Sequence, residues 1–317
     1  MIFESLAAAV IPMLVYLLLL WKMDKYEPEP LTFVLKHFLW GAFGAVFFAV
    51  IGSKILSINL NFITTSTPFL EAILVAPFIE EITKGSFLFK TIKSKRFDNL
   101  TDGLVYGGAI GLGFGMTENF LYFITYGDTY SQWIFLVIVR SSFSAVMHCI
   151  STATVGAFLG FAKFSVKKNK SFLYPIGFII AMFIHFAWNF SVSFQGTYLY
   201  GILFMAITIY SFFRIFKYSI KLEEKIILEE LLTEDFPEDH VRIIASRLRG
   251  IKGWVDESIR KKYIAASTKL AFRKVQERNA EDEHKLFFQN EINFYRSEII
   301  SMRNNKNLEI NLETKIE

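Results

Sequence analysis

The chain has 317 residues, 53% of them hydrophobic and 17% aromatic, with a formal net charge of +4 and a mean hydropathy of +0.36. A single cysteine, Cys149, excludes both an intramolecular disulfide and a thiolate metal cluster. Most of the charge lies after Arg214, and much of the basic excess before it lies in short loops, where it sets membrane orientation and gives no reason to infer nucleic-acid binding.

Up to Arg214 the sequence alternates long apolar runs with short polar connections, and a run of about 20 apolar residues is what a helix needs to cross a bilayer. Seven spans are predicted: Leu6–Trp21, Phe33–Leu56, Pro68–Phe89, Gly103–Thr125, Leu136–Phe161, Phe172–Phe194 and Leu199–Phe213. The first has no basic segment before it and no small-residue cleavage site behind it, so it reads as a retained anchor. Lys22 and Lys25, then Lys90, Lys93, Lys95 and Arg96, then Lys163, Lys167, Lys168 and Lys170, and finally Arg214 and Lys217 occupy alternate connections. That pattern predicts a multi-pass membrane protein with its N-terminus outside and its C-terminus in the cytoplasm. Arg140, near the start of the long fifth run, is left without a role.

The fold class expected is therefore an all-α polytopic bundle over residues 1–217, followed by a cytosolic helical module over 218–317. In that module Val255, Ile259, Tyr263, Ala266 and Leu270 keep the spacing of an amphipathic helix. Pro237 before Glu238 and Asp239 suits a helix start, and the stretch beyond Asn304 is polar enough for disorder. The tail carries no catalytic motif and is a candidate for binding a cytosolic protein.

Chemistry concentrates in the spans. The third contains Glu80, Glu81 and Lys84, and ionised groups at a helix centre cost about 2.5–3.5 kcal/mol each on insertion scales. Lys84, three and four residues on, can neutralise one carboxylate and not both, which leaves a candidate general base. The fourth span places Gly103, Gly107, Gly111 and Gly115 on one face, a ridge suited to close helix packing, with Glu118 and Asn119 continuing it. Gly111-Leu112-Gly113-Phe114-Gly115 has no strand before it, so a phosphate loop is excluded. The fifth span repeats a small, polar stripe with Ser144, His148, Thr152, Gly156 and Gly160, and the sixth with Gly177, Ala181, His185, Asn189 and Ser193. Consecutive helical positions point about 100° apart, so Cys149 and His148 do not form a nucleophilic dyad and Cys149 reads as packing. At about 1.5 Å per residue, Glu80, His148 and His185 fall near mid-bilayer, with Glu118 and Asn189 nearer the outside, so one cavity could hold them all.

In Glu80-Glu81-x-x-Lys84, Phe114-x-x-x-Glu118 with Asn119, His148, and His185-x-x-x-Asn189, the chain resembles the PrsW family of intramembrane proteases, relatives of the prenyl-protein endoproteases. Tyr26-Glu27-Pro28-Glu29-Pro30 and Asp102-Gly103-x-x-Tyr106-Gly107 also look like family features. The resemblance implies hydrolysis of a peptide bond in a membrane-protein substrate, with membrane-anchored anti-sigma factors as the associated substrate class. It implies Glu80 as the base that activates water, Glu81 as its orienting neighbour, His185 and Asn189 as donors to the tetrahedral oxyanion, and His148 as a shaping or proton-carrying residue; Lys84 and Asn119 support them. Glu118 stands where the prenyl-protein enzymes carry a histidine. Two accounts stay open: catalysis by glutamate with no cofactor, which is preferred, or a metal such as zinc held by His148, His185 and a Glu. No His-x-x-x-His or His-Glu-x-x-His pair occurs on a span. Two other classes remain beside the protease: a non-catalytic membrane scaffold, against which both Glu80 and Glu81 argue, and a proton- or ion-coupled transporter, for which no inverted repeat is visible.

Overall fold

The computed structural model describes residues 1–59, 70–94, 97, 99–164, 172–280 and 282–304, and every regular element among them is helical. The basic residues Lys95, Arg96, Lys167, Lys168 and Lys170, the expected start of the third span at Pro68, and the stretch beyond Asn304 lie outside the described residues. The chain divides into two compact units, one of Met1–Asp24 and Pro28–Lys217, the other of Lys25–Glu27 and Tyr218–Glu317.

The first unit contains α1 (Ile2–Met23), α2 (Leu31–Leu39), α3 (Val46–Asn59), α4 (Ala76–Thr91), α5 (Leu100–Tyr126), α6 (Tyr130–Val139), α7 (Ala145–Phe164), α8 (Leu173–Ser193) and the first part of α9 (Tyr198–Leu231). Large apolar side chains such as Leu18, Phe47, Ile138, Phe183 and Ile207 face outward, the arrangement expected where the surroundings are lipid. Among the described residues, the predicted spans coincide with helical segments. Among the described residues, five helical stretches are long and apolar enough to cross a membrane by length and composition: Ile2–Met23, Leu31–Leu56, Tyr130–Lys163, Leu173–Ser193 and Tyr198–Leu231. A count of seven would add the segments holding α4, with its carboxylates and lysines, and α5, with its glycines, which do not meet that measure.

Among the described residues, three π-helical turns interrupt this unit. Trp40–Ala45 joins α2 to α3, Glu71–Val75 leads into α4, and Arg140–Ser144 joins α6 to α7. Such wide turns recur at functional sites because they redirect side chains and release backbone carbonyls. Here the second precedes Glu80 and the third begins with Arg140.

α5 is the central helix, buried without interruption from Thr101 to Gly115. It starts in a capping box in which Asn99 and Asp102 satisfy each other's backbone N–H groups. Its glycine ridge meets the backbone of α7 directly: a Cβ on Gly103 would stand 2.1 Å from the Gly156 carbonyl oxygen, and one on Gly111 2.0 Å from that of His148. Only a bare Cα allows this approach, and it sets the depth of His148 against Glu118.

In the second unit the end of α9 packs with α10 (Glu238–Ile244), α11 (Glu257–Asn279) and α12 (Asp282–Asn304). Ile227, Leu231, Val241, Tyr263, Leu270 and Ile292 form its core. Pro237 precedes α10 as expected. The predicted amphipathic face is present at Tyr263, Ala266 and Leu270, but Asp256 caps α11 on the Ser258 N–H, so Val255 lies before the helix. Tyr26 belongs to this unit and donates its hydroxyl to Glu224 Oε1 at 2.7 Å.

Candidate active site

Four helices of the first unit bring their polar faces to one buried cluster. Glu81 and Lys84, one turn apart on α4, are both fully buried, with Lys84 Nζ 2.6 Å from Glu81 Oε1 and 3.9 Å from Glu80 Oε2. The lysine therefore pairs with the second of the two glutamates. Glu81 also accepts hydrogen bonds from Ser151 Oγ at 3.0 Å, Thr152 Oγ1 at 3.3 Å and His185 Nδ1 at 2.9 Å. With α4, α7 and α8 all contributing, its carboxylate is saturated with donors and serves as a fixed anchor.

Glu80 differs. It keeps 14% side-chain exposure, and its buried Oε2 has no hydrogen-bond partner among the described residues; His185 Nε2 stands 3.8 Å away. Since the His185 Nδ1–H is given to Glu81, its Nε2 presents a lone pair toward Glu80. His148 uses both ring nitrogens. Lysine can only donate, so His148 Nδ1 accepts from Lys84 at 3.0 Å, and Nε2–H donates to Glu118 Oε2 at 2.6 Å. The two imidazoles meet edge to face with centroids 4.8 Å apart.

Glu118, on α5, is also paired with Arg140, whose Nη2 lies 3.0 Å from the same Oε2. Arg140 Nε donates to Asn119 Oδ1 at 3.1 Å, and the guanidinium stacks 3.5 Å over the Tyr122 ring. Arg140, unassigned from sequence, is thus the counter-ion of Glu118. Ser151 and Thr152 were not expected at the site either. A signal for two of these was present, because Arg140, Ser144, His148 and Thr152 recur every fourth residue along one stripe.

Of the predicted site residues, Glu80, Glu81, Lys84, Glu118, His148 and His185 converge, and Asn119 joins through Arg140. Asn189 does not. Its Nδ2 donates to the Ala72 carbonyl at 2.9 Å, within the π turn that leads to Glu80, so the expected pairing of His185 and Asn189 at one oxyanion is not the arrangement present. Asn189 instead ties α8 to the segment that positions Glu80.

One donor atom each from Glu80, His148 and His185 lie within 4.8 Å of one another. Two imidazoles and a carboxylate form a common catalytic zinc donor set, and each imidazole is oriented by a further carboxylate, Glu81 or Glu118, as metal-ligating histidines usually are. The unpartnered Glu80 oxygen and the free Nε2 of His185 fit a cation. For His148 to join them, its contact with Lys84 has to give way.

Residues 29–215 match the family described as PrsW family intramembrane metalloprotease. The chain belongs to the PrsW family. Similar proteins named Protease PrsW include one from Geobacillus kaustophilus, 30% identical over 208 residues, 65% of this chain and 88% of that protein. One from Bacillus subtilis is 25% identical over 63% of this chain and 88% of its own length. One from Clostridioides difficile is 30% identical over 51% of this chain and 67% of its own. No solved structure matches the chain. As a PrsW family member the chain is an intramembrane protease, and the matched segment holds every residue of the cluster. The family's description as metalloproteases accords with the three clustered donors, which come from three separate helices and so leave no compact zinc motif in the sequence.

Proposed function

We propose that the chain cleaves a membrane-anchored protein within its bundle, with Glu80 and the two histidines at the reacting centre. The observation that carries this is the contrast between the two adjacent glutamates: Glu81 is saturated by four donors, whereas Glu80 keeps an unpartnered oxygen. Glu81 fixes the His185 tautomer, and Arg140 holds Glu118 so that Glu118 fixes that of His148. A water resting between Glu80 Oε2 and His185 Nε2 can give its proton to Glu80 as it attacks the peptide carbonyl, and Glu80 can return that proton to the departing amine.

A divalent metal held by Glu80, His148 and His185 would polarise the water and the peptide carbonyl when bound. In that reading Glu118, the second carboxylate lining the cavity beside Glu80, is the one left to accept the proton. The glutamate-only reading is favoured by the engagement of both His148 nitrogens, the metal reading by the clustered donors and the family description. The substrate class suggested by the family resemblance is an anti-sigma factor, and the alternation of basic loops supports a cytoplasmic C-terminal unit.

The test uses the full chain in proteoliposomes with a single-span anti-sigma factor. Cleavage by the wild type and none by Glu80→Gln or His185→Ala is expected, with both variants inserted normally. Metal analysis of the purified proteins separates the readings: one metal per wild-type chain, absent from His185→Ala, establishes the metal set, and a metal-free active wild type refutes it. A fully active Glu80→Gln protein would overturn the proposal in either form.

A further inference from the structure

Every residue of the cluster around Glu80 belongs to the first unit, and the second unit presents exposed chemistry of its own. Between α10 and α11 the chain reads Ser246-Arg247-Leu248-Arg249-Gly250-Ile251-Lys252-Gly253, with a 3₁₀ turn at Arg247–Gly250. Leu248 and Ile251 are 53% and 57% exposed, and Arg247 and Lys252 beside them face outward too. Basic charge is concentrated in this stretch: Arg242 to Lys274 holds ten Lys and Arg against two acids, Asp256 and Glu257.

The apolar pair is held out by a braced loop. The Leu248 N–H donates to Ser246 Oγ at 3.2 Å, and Gly253, at φ +94°, donates its N–H to Glu257 at 3.0 Å. Arg260, buried at the start of α11, donates Nη1 to the carbonyls of Arg249 and Gly250, each at 3.2 Å. Lys261 and Lys262 follow it and are exposed. Arg249 turns inward, where Nη2 reaches Thr268 Oγ1 at 3.1 Å and the Tyr26 carbonyl at 3.3 Å. Side chains presented on so fixed a backbone lose little freedom on binding.

The contact with Tyr26 decides what the loop meets. Tyr26 is three residues beyond α1, a helix apolar enough to cross a membrane, whose last turn carries Trp21 and Lys22, residue types that favour the membrane interface. Three residues of chain span at most about 11 Å, so the loop is bonded to a residue within that reach of the helix end. Apolar side chains flanked by cations match an anionic lipid surface, the cations meeting phosphates and the apolar groups the acyl boundary. A soluble acidic protein has to be captured from dilute solution, whereas lipid is always present at high local concentration.

We infer that Arg247–Lys252 is a lipid-docking loop. Leu248 and Ile251 enter the headgroup–acyl boundary of the bilayer that holds the chain, and Arg247, Lys252, Lys261 and Lys262 bind anionic headgroups. Each Lys or Arg near such a surface changes the partition roughly fivefold, so the loop docks on membranes rich in anionic lipid and leaves neutral ones.

The test labels Ile251→Cys with an NBD fluorophore in the full chain carrying Cys149→Ala. The protein is placed in nanodiscs of phosphatidylcholine bearing an acyl-chain quencher, with or without phosphatidylglycerol. Quenching should be strong with phosphatidylglycerol and weak without it. It should fall as salt rises from about 0.1 to 1 M, which shortens the screening length from about 10 to 3 Å. Adding Arg247→Gln and Lys252→Gln should shift the equilibrium roughly 25-fold toward the free loop, two charges at fivefold each. All these side chains are exposed, so the substitutions leave the fold intact. The same label at Asn290, exposed on α12 beside the Gln289–Glu277 contact at the end of α11 remote from Arg260, should stay unquenched. A label at position 251 that is unquenched in anionic nanodiscs, or quenched equally with and without phosphatidylglycerol, overturns the inference. So does a label shielded from aqueous iodide only when soluble cell extract is added, which assigns the loop to a protein partner.

Discussion

Replacing Lys84 by Met keeps most of the side-chain volume and removes one charge from a fully buried site. The ammonium stands 2.6 Å from Glu81 and 3.9 Å from Glu80, so its loss leaves Glu81 with neutral donors alone and Glu80 without its nearest fixed cation. Breaking a buried pair by removing one partner costs about 3–5 kcal/mol. The lost bond from Lys84 to His148 adds little, because hydrogen bonds between membrane helices average about 0.6 kcal/mol. The charge effect therefore dominates, and the Lys84→Met/Glu81→Gln double variant, which removes both members, should regain most of the lost stability. Reversible unfolding in mixed detergent micelles, followed by circular dichroism, measures all three proteins. A Lys84→Met variant within about 1 kcal/mol of wild type, or a double variant no more stable than the single, would refute the view that this pair is a buried charge couple.

Three further outcomes follow from other contacts. Gly111→Ala places a methyl 2.0 Å from the His148 carbonyl; the helices must part, at about 1–3 kcal/mol, and the displaced His148 should cost more in turnover, roughly 10²-fold, which paired melting and activity assays would compare. Arg140→Gln removes the counter-ion of Glu118 and should lower kcat by roughly 10–100-fold with little change in KM, with Arg140→Lys recovering part of it; equal kcat in all three proteins would refute the role. His240 in the second unit is fully buried beside Tyr263 and Trp254, and burial, helped by the Arg303 charge, holds its pKa below the ordinary 6.5. The unfolded chain then binds the extra proton, so this contribution to stability is complete above 6.5 and is lost as pH falls below it. Melting of the full chain from pH 8 to 5, followed by Trp fluorescence, should show a decline that His240→Gln flattens; an unchanged decline in that variant would refute it.

How much of this was legible in the sequence depended on what each residue had to touch. Glu80, Glu81, Lys84, Glu118, His148 and His185 were visible because ionisable groups in apolar helices have few reasons to be there. The glycine ridge of α5 was visible by its spacing of four, and it does meet α7. What sequence could not assign was the pairing: that Lys84 takes Glu81 and leaves Glu80 open depends on a difference of 1.3 Å between the two contacts, 2.6 against 3.9 Å. Arg140 was left unassigned because its partner is 22 residues away on another helix, brought close through the π turn at Arg140–Ser144. Asn189 shared a stripe with His185, yet the Glu71–Val75 π turn offers a carbonyl at Ala72 that claims its amide. For Arg140 and Asn189 the assumption of regular helices hid the contact, because π turns at Arg140–Ser144 and Glu71–Val75 supply the geometry.

Charge balance explains why the open position falls at Glu80. The cluster contains three carboxylates, Glu80, Glu81 and Glu118, and two fixed cations, Lys84 and Arg140, each within 3.0 Å of a different carboxylate. Glu81 and Glu118 thereby have close counter-ions, while the nearest fixed cation to Glu80 is 3.9 Å away and already committed to Glu81. An uncompensated carboxylate is costly in a medium of low dielectric, so the resting bundle has reason to attract a proton or a metal cation to this one place. Glu80 also lines the cavity, as Glu118 does, whereas the saturated Glu81 does not. The two fixed pairs therefore do more than hold helices together: by giving Glu81 and Glu118 close counter-ions they confine the unbalanced charge to Glu80, at the cavity wall.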